Sequence, residues 1–280
     1  MAEEPENRML FDLRGKRKRV IQVIYVLLAV IMAASLVVIG LPGGANPFSS
    51  GTGAVSQDLA ESSVNRAEKI QTRLVTEPNN TNAREELIRA RIAAGNNLIE
   101  IDEETGAQNI TTEASTQYDL AAQAWEKYLK TTRNQPGQSV AQIIANTLFT
   151  LSQDSTVAQF QSNIADAAKA QGFVARSAEA DKNGPSAAGP LATLATYQYY
   201  AQDATAAEAS RKRALAATPD KAEQQQITTQ LDSVEKDAKR IGKVLAQAKK
   251  QAKKDGGKSL EQPAGSLGTS SSLGTPPTAP

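Results

Sequence analysis

Histidine and cysteine are missing altogether from this 280-residue chain. Their absence removes Ser-His-Asp and Cys-His catalysis, the usual zinc sites, covalent haem attachment and disulfides. Carboxylate pairs and Ser-Lys dyads remain formally open, but no spacing singles one out. The expectation is therefore a protein that is not an enzyme, with no catalytic, cofactor-binding or metal residues. Aromatic side chains are also scarce, at 4% of the chain, so each large ring has to serve packing at a chosen place. Asp102-Glu103-Glu104 could suggest a calcium loop, yet it lacks the alternating ligand spacing such loops need.

Charge is absent over one long interval. No charged side chain occurs between Arg19 and Asp58. Within it, Val20 to Ile39 contains only Gln22, Tyr25 and Ser35 as polar members, and twenty helical residues span roughly 30 Å, the thickness of a bilayer core. Arg14, Lys16, Arg17, Lys18 and Arg19 crowd the leading flank while the trailing flank has none. The positive-inside rule then places residues 1–19 in the cytoplasm, a single transmembrane helix at 20–40 and everything later on the far side of the membrane. A cleaved signal peptide is the competing reading, with small residues at Gly43-Gly44-Ala45. Ala29 and Ala33 give a small-x-x-x-small pattern through which two anchors could pair.

Residues 41–57, rich in Gly, Pro and Ser, read as a flexible linker. Beyond them the overall charge of +1 conceals an acidic body (16 basic against 22 acidic side chains over 58–234) and a basic end (nine against four over 235–280). The body is rich in Ala, Gln, Leu, Glu and Lys, and no alternating segment competes with helix. Helix starts are expected at Asn82, Ser139 and Asp220, each followed three residues later by Glu or Gln as in a capping box. Helix stops are expected at Pro78, Pro136, Pro185 and Pro219. The fold class is all-α, with a helical repeat domain over 58–242.

Repeats emerge from these helices. Leu191, Leu194, Ala195, Ala207, Ala214 and Pro219 have the spacing of large and small residues that lets two antiparallel helices approach closely. Ala124, Trp125, Tyr128 and Pro136 carry the second half of the same pattern, with Asn82 to Gly95 as its first helix. About 24 extra residues between Gly95 and Ala124 should lengthen both helices into a protruding hairpin tipped by Asp102 to Gly106. A middle repeat over Val140 to Glu179 uses Ile144, Ala145 and Leu148, then Ala167, Ala170 and Val174. Ahead of it all, Leu59, Val64, Ala67, Ile70 and Leu74 form one further helical stripe. On these residues the chain resembles the tetratricopeptide-repeat family, in its membrane-anchored bacterial form, over about residues 58–235. Gln198 and Gln202 depart from the family pattern, standing where it has Tyr and Gly. The resemblance implies a helical-hairpin solenoid whose concave face binds a segment of another protein.

The last helix is different. Ile227, Leu231, Val234, Ala238, Ile241, Leu245, Ala248 and Ala252 alternate spacings of four and three, a stripe suited to capping a solenoid. Its end, 243–254, turns basic through Lys243, Lys249, Lys250, Lys253 and Lys254, which could meet an anionic lipid or cell-wall polymer. Residues 255–280 are expected to be a disordered tail. Tyr197, Tyr199 and Tyr200 are candidates for a partner groove, against the simpler reading as core. The expected function is a single-pass inner-membrane scaffold binding unknown protein partners outside the cytoplasm, in an envelope or secretion assembly. No nucleic acid and no cofactor is expected, and the lipid bilayer is met through 20–40. The alternative is a tether joining the membrane to the cell wall through the basic end.

Overall fold

The computed structural model describes residues 53–101 and 108–262. The expected anchor at 20–40, its basic flank, the Ala29–Ala33 pattern and the acidic tip at 102–106 lie outside the described residues. Among those described, no helix is long and apolar enough to cross a membrane.

The fold is all-α. Its helices are α1 (Gly53–Thr76), α2 (Thr81–Asn97), α3 (Thr112–Thr131), α4 (Gln138–Asp154), α5 (Val157–Ala180), α6 (Ala188–Tyr200), α7 (Ala204–Ala216) and α8 (Lys221–Asp255). Helices α1 to α7 pack mainly on their sequence neighbours, with hairpins α2/α3, α4/α5 and α6/α7. The first helices of two hairpins also meet, α2 against α4, and α8 lies mainly against α6. Pro78, Pro136, Pro185 and Pro219 all stand in the junctions between helices, where the missing N–H costs no helical bond. The small residues expected at crossings are buried, with Ala195, Ala207 and Ala214 at 0% exposure beside Leu191 and Leu194. Ile144, Ala145, Leu148, Ala167, Ala170 and Val174 of the middle hairpin are buried too.

Helix starts differ from expectation at two places. Asn80, not Asn82, caps α2 by accepting the Ala83 amide at 2.9 Å. Ser139 lies inside α4, whose cap is Gly137 with no side-chain bond; Ser139 Oγ accepts instead from Arg89. Asp220 caps α8 through the Glu223 amide at 2.9 Å, as expected. A full capping box, unanticipated, joins Thr156 and Gln159 at the start of α5.

The long insertion is not a helical hairpin. Only α3 is lengthened, beginning at Thr112, about three turns ahead of Ala124. Helix α2 stops at Asn97, because Gly95, Asn96 and Asn97 are weak helix formers in succession. The chain then forms two short antiparallel strands, β1 (Ile99–Ile101) and β2 (Gln108–Ile110), with Ile99 opposite Ile110. The period-2 signal is three residues per strand, too short to read in sequence. Thr111 closes the base, donating to the Leu98 carbonyl at 2.9 Å and accepting the Ala114 amide that starts α3. Nearby, Tyr118 lies flat against Gly95: a Cβ there would sit 2.7 Å from the ring's Cδ1.

Two boundaries also move. Residues 53–57, expected as linker, belong to α1, and its inward stripe takes Ala60 while leaving Leu59 40% exposed. The first part of the expected tail, 255–262, has defined structure. Gly256 (φ +69°) and Gly257 (φ +101°) reverse the chain after α8, a 3₁₀ turn covers Lys258–Leu260, and the Gln262 carbonyl accepts the Val157 amide of α5 at 3.0 Å. The reason is local: two successive glycines take left-handed backbone without a Cβ clash, and Leu260 then reaches the core.

Candidate functional site

The three tyrosines of α6 do not line a groove. Tyr197, Tyr199 and Tyr200 are all buried, which removes them as partner-binding side chains. Helix α6 is apolar on every side because α5, α7 and α8 surround it, so all three rings can face protein. Tyr197 stacks on Phe149 at 4.9 Å between centroids. Burial pushes the Tyr199 hydroxyl up to about 12, helped by its bond to Glu208. Trp125 is core as expected, edge-on to Phe173 and tilted against Tyr128. The Tyr128 hydroxyl accepts the Gly137 amide at 3.1 Å and so holds the α3–α4 junction.

The basic end of α8 is outward-facing. Lys243, Lys249, Lys250, Lys253 and Lys254 are all exposed, and the ion pairs of α8 among the described residues end at Arg240. Spacings of three, four, seven and four set Lys236, Lys239, Lys243, Lys250 and Lys254 on one face, away from the buried row Ile227 to Ala252. No acidic residue interrupts the helix between Asp237 and Asp255.

A groove that sequence reasoning missed lies where α1 and α3 flank α2. Its volume is about 390 Å³, and its apolar lining is Leu74, Val75, Leu87, Leu120 and Ala124. Val75 is 80% exposed there. The polar lining comprises Gln71, Gln123 and three cations, Arg84, Arg91 and Lys127, with no carboxylate. Arg91 is the unusual member. It is only 6% exposed, and its guanidinium bridges α1 to α3 by donating to Gln71 Oε1 and Gln117 Oε1, both at 2.9 Å. Three of its five N–H groups are thereby left without a partner among the described residues. Burial holds Arg91 below its ordinary value, with the field of Glu68 opposing. Arg84 is turned to the Pro78 carbonyl, 3.1 Å from Nε, and Lys127 is exposed.

The sequence carried a hint of Arg91's place, though not of the groove. Ala83, Leu87 and Arg91 follow one another at spacings of four on α2, so a charge stands in the buried row of the helix. No protein-family model, curated protein or solved structure matches this chain. Among the described residues no cluster of three or more acidic side chains is placed to hold a metal ion.

Proposed function

We propose that this chain is a non-enzymatic, membrane-anchored scaffold whose tetratricopeptide-like hairpins bind other proteins on the extracytoplasmic side of the inner membrane. One observation carries the reading. Helical hairpins stacked in chain order hold an apolar, cation-bearing groove between α1, α2 and α3, a concavity suited to side chains of a docked segment. The charge asymmetry about residues 20–40 supports the topology. Capture of envelope proteins by the full-length chain, cross-linked in cells and extracted in detergent, tests the scaffold. Specific, stoichiometric capture is expected, and the absence of any reproducible protein would end the reading. An enzyme reporter fused after Pro280 should be active outside the cytoplasm.

A second reading has its own observation, the single-sign lysine face of α8. Lys243 to Lys254, beyond the last ion pair of the helix, covers about 17 Å of straight helix, enough to lie along an anionic surface. Each lysine near an anionic membrane contributes roughly 1 kcal/mol, and the attraction is screened beyond about 10 Å at 0.1 M salt. Neutralising Lys243, Lys249, Lys250, Lys253 and Lys254 together should abolish salt-sensitive sedimentation with purified cell wall. Unchanged sedimentation would return this face to solvent.

A further inference from the structure

Resting on the scaffold reading, we infer that the α1–α2–α3 groove takes one face of an acidic amphipathic helix from a partner protein, with two carboxylates about two turns apart. Two features of the groove select this occupant. A buried guanidinium without a carboxylate partner is costly to keep, since the desolvation of the charge is not repaid by two neutral amides. Arg91 is in that position: among the described residues no carboxylate pairs with it, Glu68 acting only through its field at longer range, and Arg91 lines an open groove. A carboxylate arriving there would make the bidentate contact that the folded chain does not supply.

The spacing of the cations sets the form of the ligand. Arg84 and Arg91 are seven residues apart on α2, about 10 Å along the axis. Arg91 is bonded to Gln117 of α3, so in the antiparallel α2/α3 pair Lys127 falls toward the Arg84 end. Positive charge therefore stands at both ends of the groove, with Leu74, Leu87, Leu120 and Ala124 between. A single phosphate would engage one end only. Acidic residues at i and i+7 of a helix match both ends, and apolar residues at i+3 and i+4 fall between them. Segments of this chain outside the described residues fit less well: 20–52 and 263–280 carry no acidic side chain, and the acidic residues of 1–19 (Glu3, Glu4, Glu6, Asp12) and of 102–107 (Asp102, Glu103, Glu104) include no pair seven apart.

The test uses the full-length chain in detergent and a labelled helix-forming peptide of 16 residues. It carries Glu at two positions seven apart and Leu at the third and fourth positions between them. Fluorescence anisotropy should show saturable binding, at least tenfold weaker for the twin peptide with Gln in place of both Glu. Arg91→Met should weaken binding at least tenfold, with helical circular dichroism intact and a melting midpoint equal to or above that of the parent, because a charge is no longer buried. Lys127→Gln, an exposed change, should weaken it severalfold. Equal binding of the Glu and Gln peptides overturns the inference. So does no binding by a folded parent chain, or full competition by millimolar inorganic phosphate or by phosphatidylglycerol vesicles. Cross-linked capture separates the two claims. Partners still held by the Arg84→Gln, Arg91→Met, Lys127→Gln variant would remove the groove and leave the scaffold standing. Loss of those partners supports both.

Discussion

Gln202 and Gly242 fit one another across the α6–α7 turn and the last helix. Gln202 takes φ +65°, a left-handed conformation that glycine adopts freely and glutamine does not. What the strain gives in return is reach. Its Nε2 donates to the Ala238 carbonyl of α8 at 3.0 Å, and its carboxamide occupies the space that a Cβ on Gly242 would need. The departure from the repeat pattern at Gln202 thus ties α8 to the hairpin before it.

This pairing makes a double-mutant prediction. Gly242→Ala alone gains about 0.5–1 kcal/mol of helix propensity but displaces the Gln202 carboxamide, so its melting midpoint should fall or stay level. In a Gln202→Gly background the obstruction is gone and the same Ala should stabilise. The coupling expected from denaturant unfolding is about 1 kcal/mol or more. Additive effects would mean that the two residues do not touch in solution.

Close helix crossings predict large penalties at small residues. Ala207 and Ala214 are both at 0% exposure on α7, so Ala207→Asp or Ala214→Asp places a carboxylate where water cannot follow. Each should cost several kcal/mol unless the acid protonates, and thermal circular dichroism should show the loss. An unchanged midpoint in both would refute the packing of α6 on α7.

These two cases show what could be read beforehand. Prolines and alanines carry their meaning locally: a missing N–H or a missing side chain limits the structure at its own position. The junctions at Pro78, Pro136, Pro185 and Pro219 and the crossings at Ala195, Ala207 and Ala214 were therefore legible. The inward row of α8 was legible for the same reason, Ala248 alone being only partly buried. The burial of Tyr197, Tyr199 and Tyr200 all three together was not, since it depends on how many helices surround α6. Nor was the groove, because Arg91 acquires its character only when α1 and α3 close over it. The reversal at Gly256 and Gly257 was hidden by a composition that also suits a disordered tail.

Alkaline pH should loosen the α2–α3 pair first. Burial pushes the Tyr118 hydroxyl up to about 12, while its bond to Asn96 Oδ1, at 2.7 Å, requires the neutral phenol as donor. A folded-state value above the unfolded one near 10 means the folded state holds the proton more tightly. The stabilisation is complete below pH 10 and is lost as pH rises toward 12. Tyr118→Phe should shift alkaline unfolding, followed by ellipticity at 222 nm, to higher pH. An identical alkaline midpoint would assign the transition to other groups. Against the same ring, Gly95→Ala should cost about 1–3 kcal/mol by overpacking.

The reversal after α8 should behave as a fastener for α5. Gly257 at φ +101° accepts no Cβ without strain of about 1–3 kcal/mol, so Gly257→Val should undo the turn that brings Leu260 to the core. The consequence is remote from the substitution. With Gln262 released, the Val157 amide loses its acceptor and becomes one of the open donors at the start of a helix. Native-state hydrogen exchange should then speed at Val157 while amides in the middle of α8 keep their protection. Deleting residues 263–280 should leave Val157 protected, because the acceptor is retained. Equal exchange at Val157 in the parent and in Gly257→Val would show that the Gln262 carbonyl does not hold this helix end, and that α5 is started by Thr156 and Gln159 alone.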